Sequence, residues 1–461
     1  MYGIAQGTIN MTTQNNEKFM RTVRVRNETK PGTLGRLLLA VGNAGGDVGE
    51  VRLIHEGHQA TIRDITISTD DQAQMEQVFA AIEANPCSSL LAIRDEVLEL
   101  HQKGKIAIRS RIPVDSLYVL RRVYTPGVAE VCLNIAKDPS LARQYTAISH
   151  MVAIVTDGTA ILGLGDIGPV AGMPVMEGKA MLMETLVGLS GIPILLNTKD
   201  PDTIVETVAA IAPTFSAIQL EDIAAPRCFE IEERLQARLD IPVMHDDQHG
   251  TAVVTTAALK TATRLTGMAL ERAVIGQIGL GAAGNAIGKM LMTLTDKPVL
   301  GADLSEEALT RFEQSGGIRS NLREIMAEAD IVIATTGAPN LIKPEWVRKG
   351  QIILSLSNPN PEITPEAALA AGAAFAADGK SVNNVLGFPG ILRGAVDTYA
   401  RSISHEMYLA AAETIAALTP PDELVPNPLD KSVHMAVARA VARTAIEQGL
   451  ARVVDVPYMD E

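Results

Sequence analysis

Cysteine is scarce in this chain of 461 residues, which has 3: Cys87, Cys132 and Cys228. So few thiols cannot build a disulfide framework, and no spacing among them suits zinc. They point to a reducing, cytoplasmic setting. Aromatic residues make up only 3%, which argues against the stacking platforms of single-strand binders. Positive charge is in deficit, with 40 Lys and Arg against 54 Asp and Glu for a net charge of −14. No nucleic-acid or membrane partner is therefore expected. There is no run of about 18 apolar residues to span a bilayer, and no basic-then-apolar leader at the start. What is present, 47% apolar and 20% charged residues, suits a folded chain of several domains.

Residues 1–18 are polar and aperiodic and are expected to form a loose tail. From 19 to 97 the periodicity changes. Val23 and Val25 alternate with Thr22, Arg24 and Arg26, which predicts a strand over 19–27. The turn Thr29-Lys30-Pro31-Gly32-Thr33 then leads into a predicted helix over 34–42. Strands over 48–55 and 61–68, a helix over 72–84 and a strand over 88–95 complete a β-α-β-β-α-β order. That order, with its Lys-Pro-Gly turn, resembles an ACT domain, a small regulatory module. The resemblance implies either a small-molecule effector or a dimerisation role. Residues 98–104 read as a linker helix.

The remainder alternates short apolar strands with Ala-rich helices, the pattern of α/β architecture with largely parallel sheets. Strands are expected near 151–155, 193–196, 217–220, 243, 272–278, 299–302, 331–334 and 352–355. Helices are expected over 402–417 and 431–449. A change of character near 267–271 divides a unit over 98–268 from one over 269–445, with 446–461 as a C-terminal tail.

The second of these units opens with a strand over 272–278 that runs into Gly279-Leu280-Gly281-Ala282-Ala283-Gly284. A helix, a second strand and a terminal Asp303 follow. This is the complete fingerprint of a Rossmann-type dinucleotide-binding domain. The glycines admit a pyrophosphate at the helix N-terminus. Asp303 can accept bonds from both ribose hydroxyls and would repel a 2′-phosphate, which favours NAD over the alternative NADP. A second match, Gly163-Leu164-Gly165-Asp166-Ile167-Gly168, is followed by Pro169 and by Gly172 to Pro174. Those residues are expected to interrupt any helix, so this match reads as a close-packed turn near the substrate.

Two carboxylate pairs follow short apolar strands: Glu221-Asp222, and Asp246-Asp247 within His245-Asp246-Asp247-Gln248-His249-Gly250. Strand C-termini in such sheets converge on the ligand crevice. Carboxylates gathered there need a cation, and oxygen-only ligands favour Mg²⁺ or Mn²⁺. His245 and His249 have the spacing of a zinc-protease helix, but Gly250 is expected to end any helix at once. The two histidines are therefore expected to be packed or hydrogen-bonded. Tyr124 sits on a turn, and Lys179 is placed at the start of an apolar helix, where a lowered pKa would suit a base. Asn358 and Asn384 offer amides on loops.

Taken in order, these segments resemble malic enzymes of the compact bacterial type over roughly residues 105–445. The motifs are YTPGVA (124–129), TDGTAILGLGDIG (156–168), PVMEGKA (174–180), LEDI (220–223), HDDQHGT (245–251), GLGAAG (279–284), LSNP (356–359) and NNVLGFPGILRGA (383–395). The resemblance implies oxidative decarboxylation of L-malate to pyruvate and CO₂ with NAD and Mg²⁺ or Mn²⁺. It implies Glu221, Asp222 and Asp247 as metal ligands, Lys179 as general base, Tyr124 as the acid and Asp246 as the residue that tunes Lys179. Gly279, Gly281, Ala282, Ala283, Gly284, Asp303 and Asn358 would hold the cofactor, and Asn358 and Asn384 the substrate carboxylate. One departure is Ala160, where larger members carry an arginine that grips that carboxylate. A homodimer or higher homo-oligomer is expected. The alternatives are a malolactic-type enzyme that releases lactate with bound NAD, and a non-catalytic NAD or effector sensor.

Overall fold

The computed structural model describes residues 19–161, 163–456 and 458–459; the expected tail over 1–18 lies outside them. The chain divides into two compact units, the first ending at Lys105 and the second starting at Ile106.

The first unit contains β1 (Phe19–Glu28), α1 (Thr33–Asn43), β2 (Asp47–Glu56), β3 (Ala60–Thr69), α2 (Gln72–Glu83), β4 (Ser88–Arg94) and α3 (Glu96–His101). The order β-α-β-β-α-β is as the periodicity predicts. Its antiparallel sheet runs β2-β3-β1-β4. One face buries Val23, Val25, Ile65 and Ile67 against Leu37, Val41, Met75, Val78 and Ile82. Each such side chain stabilises the fold by roughly 1.5–3 kcal/mol. The other face is polar. Arg24 donates twice to Asp64, at 2.7 and 2.8 Å. From α3, Glu96 accepts from the Thr22 hydroxyl at 2.6 Å and Glu99 from Arg94 Nε at 2.8 Å.

The second unit begins with α4 (Leu117–Val123), α5 (Val128–Lys137) and α6 (Ala142–Tyr145). No residue from 106 to 151 is buried. A parallel sheet follows in the order β6-β5-β7-β8. It is built from β5 (Met151–Thr156), α7 (Pro169–Val187), β6 (Ser190–Leu195), α8 (Pro201–Ile211), β7 (Ala217–Leu220), α9 (Arg227–Arg238), β8 (Val243–His245) and α10 (Asp246–Thr266). Two expectations fail here. The helix after the second glycine-rich turn does form, with Pro169 in its first turn and Pro174 inside it. Likewise α10 runs through Gly250 rather than stopping there.

Beyond α10 come β9 (Ile275–Ile278), α11 (Ala282–Thr295), β10 (Leu300–Ala302), α12 (Glu306–Gln314), β11 (Ile318–Arg319), α13 (Leu322–Glu328) and β12 (Ile331–Ala334). The chain closes with β13 (Ile352–Ser355), α14 (Pro365–Ala370), β14 (Phe375–Asp378), α15 (Phe388–Asp397), α16 (His405–Leu418) and α17 (Lys431–Glu447). The parallel sheet order β11-β10-β9-β12-β13-β14 is that of a doubly wound dinucleotide-binding fold. β11 and β14 were not expected from the sequence. The core of this sheet is continuous with that of the β6-β5-β7-β8 sheet: Val253 and Leu259 of α10 belong to the same apolar cluster as Ile154 and Ile333. Among the described residues no helix is long and apolar enough to cross a membrane.

Candidate active site

The site forms where β7 and β8 end. Glu221 and Asp222 follow β7, and Asp246 and Asp247 open α10. Asp222 has φ 54, a left-handed backbone that a non-glycine residue rarely adopts and that concentrates at functional positions. Its N–H donates to Asp247 Oδ2 at 2.8 Å, and its carbonyl accepts from Ala160 N at 3.0 Å. Oxygens of Glu221, Asp222 and Asp247 lie within 4.8 Å of one another. Three carboxylates this close, two of them buried, fit a divalent cation. Their all-oxygen donor set favours Mg²⁺ or Mn²⁺.

Lys179 reaches the cluster from the middle of α7, not from its start, and is 8% exposed. Its Nζ lies 3.0 Å from Glu221 Oε1 and also contacts Asp246 Oδ2. Burial alone would lower the lysine pKa, but Asp246 and Glu221 outweigh it and hold the ammonium above the ordinary range. The helix N-terminus expected to lower it is not beside it, since Lys179 sits mid-helix. Burial raises the pKa of Glu221 and Asp246. Asn384 Nδ2 donates to Asp246 Oδ2 at 3.0 Å, so this amide joins the same group. Gly250 has its place here: a Cβ on it would stand 1.9 Å from Asp246 Oδ1. Only glycine leaves that carboxylate room against the helix.

The two histidines pack against carboxylates, and among the described residues neither joins a metal-ligand cluster. His245 Nε2 is 3.2 Å from Asp247, and His249 Nε2 is 2.9 Å from Glu232. Glu232 was missed by sequence reasoning. It is a buried carboxylate on α9 that also accepts from His245 N and Gln248 Nε2, both at 2.8 Å. It fixes the turn that carries Asp246 and Asp247. The signal for it is its position: Glu232 falls on the buried stripe of α9 with Cys228, Ile231 and Leu235, where a charge needs a reason. Asp157, Thr159 and Arg227 were missed too. Arg227 Nη2 donates to Asp157 Oδ2 at 3.0 Å and Thr159 Oγ1 at 2.9 Å, which braces the loop beyond β5 beside Ala160.

At the dinucleotide loop, Gly279 to Gly284 join β9 to α11 as predicted, with Ala282 and Ala283 opening the helix. A Cβ on Gly284 would meet Gly279 O at 1.9 Å, so that close turn admits no side chain. Asp303 is partly engaged by the protein: it accepts from Leu280 N at 2.6 Å and Ser305 N at 2.8 Å. Both oxygens keep lone pairs for a ribose. Asn358 is exposed, and its carbonyl would lie 2.8 Å from a Cβ on Gly163. The second glycine-rich turn therefore packs against the Asn358 loop. Tyr124 stands apart: it is 66% exposed, and no hydrogen bond joins it to Lys179 or Asp246.

Comparison with known proteins shows the family. Residues 103–236 match the family model for the malic enzyme N-terminal domain. The NAD-dependent malic enzyme 1 of Bacillus subtilis is 57% identical over 93% of this chain and 98% of its own. The NAD-dependent malic enzyme of Geobacillus stearothermophilus is 42% identical over 95% of this chain and 96% of its own. A crystal structure of malic enzyme from Pyrococcus horikoshii matches with a TM-score of 0.74 at 40% identity, covering 78% of this chain and 92% of its own. The chain belongs to the malic enzyme family.

Proposed function

We propose that this protein is an NAD-dependent malic enzyme that converts L-malate to pyruvate and CO₂. The observation that carries the reading is Lys179, buried between Asp246 and Glu221 beside the Glu221-Asp222-Asp247 cluster. A base, a cation site and a dinucleotide loop within one fold are what this reaction needs, and the relatives named above support it. Glu221, Asp222 and Asp247 hold the divalent cation, which when bound supplies charge stabilisation at the C2 oxygen and favours loss of CO₂ from the β-keto acid. Gly279 to Gly284 would seat NAD with Asp303 at its ribose, and the bound nicotinamide would supply the acceptor for the C2 hydride. A cation on Glu221 would offset the carboxylate charge that keeps Lys179 protonated; the neutral Nζ would then take the C2 hydroxyl proton, with Asp246 orienting that lysine. Asn358 and Asn384 bind the substrate carboxylate; Asn384 does so beside the Asp246 oxygen it already touches. Tyr124 donates the proton to C3 of the enol.

Tyr124 is exposed, and so are Ile108, Leu117, Tyr118 and Leu133 in the same stretch of chain. A second copy of this chain covers that apolar face, which makes the enzyme a homodimer in which Tyr124 becomes enclosed. Within the single chain no hydrogen bond joins Tyr124 to Lys179 or Asp246, so this pairing would complete the site. The first unit acts as an ACT-like module that takes a small effector. The enzyme works in the cytoplasm, in keeping with its few cysteines.

The test is absorbance at 340 nm with L-malate, NAD and Mn²⁺, with pyruvate and lactate quantified at the end. NADH is expected in equal amount to pyruvate, with both lost on adding EDTA. Lactate without net NADH would replace this reading with the malolactic one.

A further inference from the structure

Behind the metal turn, a cavity of about 420 Å³ opens between α9, α10, α11 and α16. Three of its lining residues carry buried polar atoms that no described residue bonds: Asn285 Oδ1, His405 Nε2 and Tyr408 Oη. Asn285 is 2% exposed and Tyr408 3%. Buried polar atoms are normally paired, and leaving one without a partner costs about 1–3 kcal/mol. Such a group in a cavity of this size points to a ligand. Two charges of opposite sign also line it, Lys289 and Glu233. Neither forms an ion pair with a described residue. Phe229, Met290 and Ile403 supply apolar wall.

We propose that this cavity binds a small zwitterion of the α-amino acid class. The carboxylate is received by Lys289, and the ammonium by Glu233 and Asn285 Oδ1. The charge balance selects this class. A dicarboxylate or inorganic phosphate would find one lysine, Lys289, and be repelled by the unpaired Glu233 beside it. A simple amine would leave Lys289 unanswered.

The cavity has a direct route to the catalytic centre. His249 and Glu232 form part of its wall. His249 stacks on Tyr408 with ring centroids 4.5 Å apart. Glu232 holds His245 N and Gln248, so it anchors the turn bearing Asp246 and Asp247. The walls also come from both halves of the unit, α9 from the metal side and α11 from the dinucleotide side. A bound zwitterion therefore bridges the two halves and alters malate turnover from outside the site.

Isothermal titration calorimetry on the full chain tests this, with glycine, L-alanine and L-leucine as probes and succinate, inorganic phosphate and ethylamine as comparisons. At least one amino acid is expected to bind once per chain and to change KM or kcat for malate. Lys289→Met and Glu233→Gln should each weaken that binding about tenfold, the loss of one charge-assisted contact. Both variants should keep basal turnover and circular dichroism unchanged. The proposal is overturned if none of the three amino acids binds, if binding survives both substitutions, or if ethylamine or succinate binds equally well at the same site. Because binding is read by heat, the result does not depend on the malate reaction.

Discussion

Lys179 combines two demands that oppose each other elsewhere in proteins: it is buried, and it is charged. Its carboxylate partners make that tolerable, and a buried ion pair broken on one side costs about 3–5 kcal/mol. Lys179→Ala should therefore lower malate oxidation by at least about 100-fold, while NAD still binds with near wild-type affinity in fluorescence titration. Turnover within a few-fold of wild type would reject the lysine as base. Asp303 sets the other residue-scale prediction. Asp303→Ser should relax the NAD-to-NADP ratio of kcat/KM by about tenfold, since the repulsion of a 2′-phosphate is removed. An unchanged ratio would place cofactor choice elsewhere. The two carboxylate pairs were legible in the sequence because charges gathered at strand ends need a cation, whereas Lys179 stood out only through the family resemblance. Gly250 was not. Read alone it breaks a helix, but here the surroundings of Asp246 require it, and only the fold reveals that requirement.

At the scale of elements, the first sheet is held on its polar face by Asp64 of β3, which accepts from Arg24 on β1 and Arg94 on β4. The Arg24 guanidinium hydrogen-bonded to Asp64, with Arg94 beside it, keeps its carboxyl below the usual range. A lowered folded-state pKa contributes stability that is present above the unfolded value of about 3.9 and lost as pH falls through the folded one. Hydrogen exchange of β1 and β3 in the full chain should thus show opening free energy dropping below about pH 4. Asp64→Asn should lower protection at neutral pH and flatten that acid dependence. Equal acid sensitivity in the variant would locate it in another group. The elements themselves were largely visible beforehand, since β-α-β-β-α-β and the dinucleotide fingerprint rest on strong periodicity. β11 and β14 were not visible. Each is a short strand at a sheet edge, with too few alternating positions to register. α7 was misjudged because Pro174 was given more weight than the packing that surrounds the helix.

At the scale of the whole molecule, the proposed pairing would cover α4 and α5. Leu117 is 69% exposed and Leu133 62%. Leu117→Asp with Leu133→Asp should convert a dimer to a monomer in sedimentation velocity and remove most activity, while NAD binding persists. A dimeric, active double variant would show that this face is not the contact. The segment over 106–151, with no buried residue, has a further consequence. It carries Arg109, Arg111, Arg121 and Arg122, each a bond that trypsin cuts when the backbone is accessible. Helices held by so few contacts open readily. A freshly made, unpaired chain would be clipped there before its two parallel sheets are touched, and pairing would close the window. Resistance to trypsin would then report how long a newly made subunit waits for its twin.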